Sequence, residues 1–179
     1  MRDGQLEQVG GNWRLRFRRV LPHAPEKVWR AITEPEHLEA WFPTTIEGER
    51  TSGAALRFAH HTRDLSVMEG EMIACEPNSL LEFNWGEDTL RIELAPHESG
   101  TEITLIDAIA ELGKAARDGA GWLVCLDQLT YHLDGAEPPW TQPDHWREVI
   151  DSYVEGFGPE AATIGPPDEL GEEYLEANG

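Results

Sequence analysis

The sequence predicts an α+β fold in which an antiparallel sheet of about seven strands packs against one long helix. Three observations support this prediction. Apolar and polar residues alternate in successive short segments between 44 and 107, the pattern of strands that bury one face. The segment 121–133 repeats apolar residues at the spacing of one face of an α-helix. Two short helical segments, delimited by prolines, precede most of the alternating segments.

The first strand is predicted where apolar residues alternate with arginines, so that Trp13, Leu15 and Phe17 point inward. Continuing the same alternation places Arg19 on the inward side as well. The residues before this strand, 1–12, are mostly polar and contain glycines. We therefore expect a flexible N-terminus over that range.

Two short helices are predicted after the first strand. Pro25 suits the first turn of a helix, and Val28, Trp29 and Ile32 share one face of it. The second helix is predicted at 36–42 and ends before a proline. Both helices are therefore short connecting elements rather than the main helical layer.

Further strands follow these helices and are separated by turn residues such as glycine, proline and asparagine. Each strand has one apolar face, so the sheet is expected to bury one side and expose the other. These strands are predicted at 45–47, 54–60, 66–75, 81–85, 90–94 and 101–107.

The long helix carries its apolar stripe from Trp122 to Leu133, and nearby glycines leave its start open. Residues 134–158 are predicted to form a linker and an extra amphipathic helix, in which apolar residues recur with helical spacing from Trp146 onward. The remaining residues, 159–179, are acidic and contain a proline pair, so we expect a disordered tail.

The composition indicates one acidic globular domain. The 179 residues have a formal charge of −20, and 40% of them are hydrophobic. A field of this sign repels phosphate backbones and anionic lipids, so we expect neither nucleic-acid binding nor membrane binding. The first residues do not predict a signal peptide, and no run of about 20 apolar residues occurs. With two cysteines, the sequence predicts a cytoplasmic protein whose thiols are reduced.

Four short motifs occur in the order in which one protein family carries them. The sequence VWRAITEPEHL at 28–38 is followed by WF at 41–42. LEFNW at 81–85, GTEITL at 100–105, and GW with LDQL within 121–129 come later. Together these motifs resemble the heat-shock-protein ATPase activator homologue family, which belongs to the START-like (SRPBCC) superfamily.

This resemblance covers residues 13–133 and implies a helix-grip fold. In that fold a curved antiparallel sheet wraps around a long C-terminal helix, and a cavity lies between the two. Relatives bind lipids, polyketides or other hydrophobic molecules, and some are cyclases or hydrolases, without a shared catalytic set. We therefore predict binding of a small hydrophobic molecule. A cyclase- or hydrolase-type enzyme and a co-chaperone or interaction module are the alternatives.

The predicted ligand site combines inward-facing residues of the sheet and the long helix with two aromatic residues at the expected pocket mouth. These two, Trp41 and Phe42, either gate the pocket or fill the core. Either role places them against the apolar interior. The predicted ligand-binding residues are Trp41, Phe42, Phe58, His60, Met68, Met72, Phe83, Trp85, Ile92, Asp107, Trp122 and Leu126.

Three polar residues share the inward side of the strands: Arg19, His60 and Asp107. A buried charge without a partner is costly. Each of these residues is therefore expected to reach water at a strand end, to pair with another residue, or to bind a ligand. The enzyme alternative gives acid–base roles to His60 and Asp107. Between these readings we favour binding without catalysis.

The sequence predicts no metal site and no cofactor. His60 and His61 point to opposite faces of a strand, no zinc-binding spacing occurs, and the other histidines are scattered along the chain. Cys125 lies on the apolar stripe of the long helix. This position favours core packing over a role as nucleophile.

The aromatic face of the helix at 141–157 needs a partner. Packing against the rest of the chain is our first expectation, and a homodimer contact is the second. In the co-chaperone alternative, this helix and the acidic surface would bind a basic chaperone partner.

Overall fold

The computed structural model describes residues 3–61 and 66–166, which contain seven strands and four α-helices. Short 3₁₀ turns at Leu112–Lys114 and Pro159–Ala162 precede α3 and follow α4. The elements in chain order are β1 (Gln5–Val9), β2 (Asn12–Leu21), α1 (Pro25–Thr33), α2 (Pro35–Leu38), β3 (Ala55–Phe58), β4 (Met68–Glu76), β5 (Leu80–Trp85), β6 (Asp88–His97), β7 (Gly100–Ile109), α3 (Ala115–Asp134) and α4 (Gln142–Phe157).

The seven strands form one antiparallel sheet in the order β1-β2-β7-β6-β5-β4-β3. The register between β4 and β5 shifts between Met72 and Ala74, as it does at a β-bulge. The core lies between the sheet and α3, where Phe17, Leu105 and Leu129 are buried. The prediction of an α+β helix-grip fold with about seven strands and a long C-terminal helix is therefore confirmed.

The expectation of a flexible N-terminus over 1–12 is wrong for the residues of β1. This strand pairs with β2 along its whole length. Glu7 of β1 accepts hydrogen bonds from Arg14 at 2.8 Å and from Arg16 at 3.4 Å. The polar composition of the segment thus reflects an edge strand that is held by ion pairs on an exposed face.

The segment between β2 and β3 is less regular than predicted. The first helix begins at Pro25, as expected, but α2 ends at Leu38, four residues before the predicted end. The chain then turns so that Trp41 and Phe42 point into the core. Residues 45–47 make an isolated bridge to β3 instead of forming a strand, so five strands rather than six follow the helices.

The long helix α3 begins at Ala115, earlier than the predicted segment. Gly119 lies within this helix and faces α4, where a Cβ atom would lie 2.8 Å from the Tyr153 ring. A glycine at this point therefore allows the two helices to approach closely. The helix ends at Asp134, and Gly135 follows it with a φ of 67°, in the left-handed region that favours glycine.

The extra helix α4 packs on α3. Its N-terminus is capped by Thr141, whose hydroxyl oxygen accepts a hydrogen bond from the Asp144 backbone at 3.3 Å. Trp146, Ile150 and Tyr153 are buried, so the aromatic face predicted at 141–157 is covered by its own chain. The homodimer remains a prediction, and the apolar face on which it rested is occupied.

Part of the predicted disordered tail is ordered. In the 3₁₀ turn after α4, Ala161 is buried, and the Ile164 backbone donates a 3.0 Å hydrogen bond to the carbonyl of Gly113. The composition did not reveal these contacts because small apolar residues and hydrogen bonds to backbone carbonyls hold the segment. The rest of the predicted tail, 167–179, lies outside the described residues.

Candidate functional site

Four aromatic side chains meet between the sheet and α3: Phe42, Phe83, Trp85 and Trp122, here called the aromatic cluster. The centroid of the Phe42 ring lies 6.3 Å from that of Phe83, 5.9 Å from Trp85 and 5.8 Å from Trp122. The two indole rings are 5.4 Å apart. These are ordinary packing distances for tilted and edge-to-face rings. The aromatic cluster therefore occupies the space in which the helix-grip resemblance implies a cavity.

Most of the predicted ligand-binding residues are packed in the core, and a minority lie at its rim. His60, Met68 and Trp85 are partly exposed. A groove of about 660 Å³ lies on the surface, between the α1–α2 junction and residues 45–50, and not between the sheet and α3. The buried predicted residues are Trp41, Phe42, Phe58, Met72, Phe83, Ile92, Asp107, Trp122 and Leu126.

The position of Trp41 favours filling the core over gating. Its side chain is 1% exposed, and its Nε1 donates a 2.8 Å hydrogen bond to the carbonyl of Ala31 in α1. This bond fixes the indole, so Trp41 fills the core. Phe42 is also buried but has no polar anchor, and its ring packs against the other members of the aromatic cluster.

The aromatic cluster approaches the surface at Trp85. Its Nε1 donates a 3.2 Å hydrogen bond to the hydroxyl of Thr44, and Thr44 forms an isolated β-bridge with His60. The sulfur of Met68 lies beside the β5–β6 turn, 3.2 Å from where a Cβ atom on Gly86 would be. Thr44, His60, Met68 and Trp85 thus form a mixed polar and apolar rim at the end of the aromatic cluster.

Asp107 lies at the opposite end and is fully buried. Its Oδ2 accepts a 2.7 Å hydrogen bond from Trp122 Nε1, and its Oδ1 has no hydrogen-bond partner among the described residues. Burial, with the neighbouring carboxylate of Asp88, raises the pKa of Asp107 to about 8, although the Trp122 bond opposes this shift. At neutral pH the carboxyl group of Asp107 therefore carries a proton for most of the time.

Two further acidic residues stand beside Asp107, and the sequence reasoning missed both. Asp88 falls between the predicted strands 81–85 and 90–94, but it is the first residue of β6, two positions before the inward-facing Leu90. Asp118 falls in the part of α3 that the predicted helix omitted, one turn before Trp122. The spacing of the residues could have revealed both, because Asp88 shares a strand face with Leu90 and Asp118 shares a helix face with Trp122, and both of these were predicted to face inward.

His60 and Asp107, the two groups of the enzyme alternative, belong to different parts of the sheet. His60 forms an isolated β-bridge with Thr44 just after β3, whereas Asp107 lies in β7, and the strands β6, β5 and β4 stand between β7 and β3 in the sheet. Asp107 is also fully buried, and its side chain is bonded to Trp122. The acid–base roles of the two residues stay a prediction.

Arg19 lies on the inward side of β2, as the alternation predicts, and its charge is neutralised by two ion pairs. Its guanidinium lies 2.6 Å from Asp3 and 2.7 Å from Asp127 of α3. Two of the histidines that appear scattered in the sequence also meet, with His37 Nδ1 2.8 Å from His132 Nε2. Both contacts tie α3 to the rest of the fold rather than to the aromatic cluster.

Residues 22–134 match the family described as activator of Hsp90 ATPase homolog 1-like protein. The chain belongs to this family. The match covers more than half of the 179 residues and ends at the last residue of α3. It confirms the resemblance that the four motifs indicate. The comparison with curated proteins returns no match.

Solved structures share the fold of this Hsp90-activator-homolog family member. CalU16 from Micromonospora echinospora has a TM-score of 0.68 and 21% identity, over 88% of this chain and 97% of that chain. The conserved protein of unknown function EF2215 from Enterococcus faecalis has a TM-score of 0.70 and 18% identity, over 86% and 89% of the two chains. MLL2253 from Mesorhizobium loti has a TM-score of 0.59 and 24% identity, over 70% and 99%. At identities this low, the likeness to these structures shows a shared fold and nothing about function.

Membership in the Hsp90-activator-homolog family assigns a ligand-binding fold whose role in this chain is unknown. Three regions of the structure could bind a ligand: the aromatic cluster with its rim, the buried acidic residues around Asp107, and the surface groove. Among the described residues, none of the helices has the length and apolar character needed to cross a membrane.

Proposed function

We propose that this protein binds a small, planar hydrophobic molecule between the sheet and α3. The observation that supports the proposal is the aromatic cluster, whose four rings run from a partly exposed rim at Trp85 to the buried Trp122. Aromatic side chains offer large apolar faces to a planar ligand. The apolar site with few polar groups that results is typical of small-molecule sites.

The ligand would enter by displacing Phe42. Phe83 is held within β5, and Trp122 is held by its bond to Asp107. Phe42, in contrast, lies in the segment between α2 and β3, outside any helix or strand, and its side chain has no polar anchor. Moving this one ring toward solvent would free a space of about the size of a phenyl group without breaking the sheet or α3.

The rim suggests the chemistry of the bound molecule. The Thr44 hydroxyl contacts the Trp85 indole, His60 pairs through its backbone with Thr44, and Met68 lies beside the β5–β6 turn, where it would supply an adaptable apolar contact. A ligand with an apolar ring system and one hydroxyl or carbonyl group would place its rings in the aromatic cluster and its polar group at the rim. The free cysteines Cys75 and Cys125 fit our further proposal that the protein acts in the reducing cytoplasm.

The proposal can be tested with 1-naphthol as the probe. Binding is followed by NMR through the indole N–H signals, which Trp85→Phe and Trp122→Phe assign by their absence. We expect saturable shifts of both signals in the natural protein. Equal, non-saturating shifts of all indole signals, or none at all, would refute the proposed site.

A matched pair of cavity variants sharpens this test. Phe42→Ala should bind 1-naphthol at least about tenfold more tightly by calorimetry, because the displaced ring is already absent. Leu21→Ala is the control, since Leu21 is equally buried but belongs to β2 outside the aromatic cluster. Equal affinities for the two variants would contradict entry at Phe42.

A further inference from the structure

Three carboxylate groups converge where β6, β7 and the first turn of α3 meet. Asp88 belongs to β6, Asp107 to β7 and Asp118 to α3. One oxygen atom from each lies within 4.8 Å of the other two. We call these three residues the carboxylate site. Neither the family match nor the proposed hydrophobic ligand accounts for such a concentration of acidic groups in the interior.

Two basic side chains face the carboxylate site, and they leave one carboxyl group without a cation. Lys114 Nζ lies 2.7 and 2.6 Å from the two oxygens of Asp88. Arg117 Nε donates a 2.7 Å hydrogen bond to Asp118. Asp107 makes no ion pair with either, and its buried Oδ1 has no hydrogen-bond partner among the described residues. A buried oxygen without a partner is costly, so its presence calls for an explanation.

We infer that the carboxylate site binds a hard divalent cation, with Ca²⁺ as the best fit, and that Asp107 Oδ1 is one of its ligands. The donor atoms are all carboxylate oxygens, which suit hard cations and do not suit zinc or copper. Ca²⁺ accepts carboxylate oxygens in flexible geometry, and three oxygens that all lie within 4.8 Å of one another can surround one such ion after small side-chain movements. Mg²⁺ demands near-ideal octahedral geometry and keeps several waters, so a buried and irregular group of carboxylates suits it less well.

Lys114 competes with the cation for this position. Its ammonium group contacts both oxygens of Asp88 and therefore occupies the place of a positive ion. The residue ends the short 3₁₀ turn before α3, and its side chain is 13% exposed. It can withdraw toward solvent without disturbing a strand. A cation then replaces the ammonium charge and adds a ligand bond to Asp107, which Lys114 does not contact.

Tb³⁺, an oxygen-seeking substitute for Ca²⁺, tests the inference in the full chain. Trp122 donates its indole hydrogen to Asp107, so light absorbed by this indole should sensitise luminescence of Tb³⁺ at the carboxylate site. We expect saturable luminescence that Ca²⁺ displaces and Mg²⁺ displaces less well. This inference does not rest on the hydrophobic ligand, because 1-naphthol binding and Tb³⁺ binding are measured separately.

Variants that remove a proposed ligand or the competing lysine should change Ca²⁺ affinity in opposite directions. Asp118→Asn removes one charged ligand and should weaken Ca²⁺ binding by about tenfold or more, whereas Lys114→Met removes the competitor and should strengthen it by a similar factor. Glu69→Gln, on the exposed side of β4, is the control for nonspecific attraction to an acidic protein. Thermal melting establishes that each variant is folded, and Asp107→Asn replaces Asp118→Asn if the latter is not. Unaltered Ca²⁺ affinity in the ligand variant and in Lys114→Met would overturn the inference, as would the absence of saturable binding in the natural protein.

Discussion

Trp122 Nε1 donates a 2.7 Å hydrogen bond to Oδ2 of Asp107, which joins α3 to β7 in the interior of the protein. Both residues are almost fully buried. The bond also connects the aromatic cluster to the carboxylate site, so it lies at the junction of the two proposed binding regions.

Trp122→Phe is expected to destabilise the protein by about 1–3 kcal/mol, because it leaves Asp107 Oδ2 buried without its donor. The free energy of unfolding from urea titration at pH 6 measures this effect. Asp107→Asn retains a carbonyl acceptor for Trp122 and should have a smaller effect at the same pH. A loss of equal size in the two variants would indicate that the hydrogen bond is not the source of the stabilisation.

The stability of the protein should decrease as pH rises from about 4 to about 8. Asp107 has an ordinary pKa of 3.8 when unfolded and a pKa of about 8 when folded, so over this range the folded state binds a proton that the unfolded state releases. Its contribution is fully present below the unfolded pKa and is lost at up to about 1.4 kcal/mol per pH unit until the folded pKa is reached. Burial also raises the pKa of Asp118, which acts in the same direction.

Asp107→Asn isolates this contribution, since its unfolding free energy should vary much less between pH 5 and pH 8. Two other carboxylates act in the opposite sense at lower pH. Hydrogen bonds from Arg14 lower the pKa of Glu7, and those from Arg18 lower the pKa of Glu102. Their contributions are lost on acidification below about 4.5, outside the range of pH 5 to pH 8 in which Asp107→Asn is compared. Parallel pH profiles for Asp107→Asn and the natural protein would contradict the assignment.

The alternation of residues was sufficient to predict most of the sheet and which side of it faces inward. Leu15, Phe83 and Asp107 all lie on the predicted side, and Asp107 was identified as a buried charge that needed an explanation. The edge strand β1 was missed because its polar residues make ion pairs, and a strand with little apolar surface has no hydrophobic period.

The alternation of residues could not predict whether the space between the sheet and α3 is filled by side chains or left as a cavity. Whether a sheet and a helix enclose a cavity depends on the volume of side chains that arrive from distant parts of the chain. Phe42 and Trp122 are far apart in sequence, but their ring centroids are 5.8 Å apart. The meeting of Asp88 with Asp118 depends in the same way on where the strand after the 86–88 turn begins and on a helix start that the sequence left open.

Cys125 should behave as an unreactive thiol. Burial raises its pKa to about 12, so the thiolate form that reacts with disulfides and alkylating agents is rare at neutral pH. Burial also raises the pKa of Cys75. We expect Cys125 to react slowly with a chromogenic disulfide in the native protein, and two thiols per chain to react after unfolding in urea. Rapid labelling of Cys125 without urea, located by peptide mass spectrometry, would contradict the burial of this thiol.

Two glycines in α3 should respond in opposite directions to the same substitution. A Cβ atom on Gly119 would lie 2.8 Å from the Tyr153 ring, whereas one on Gly121 would meet nothing within 4 Å. Gly119→Ala is therefore expected to destabilise the protein by about 1–3 kcal/mol, because α4 must move away. Gly121→Ala should stabilise it by about 0.5–1 kcal/mol through helix propensity. Urea titration of the two variants measures both effects, and stabilisation by Gly119→Ala would show that α4 does not pack closely on α3.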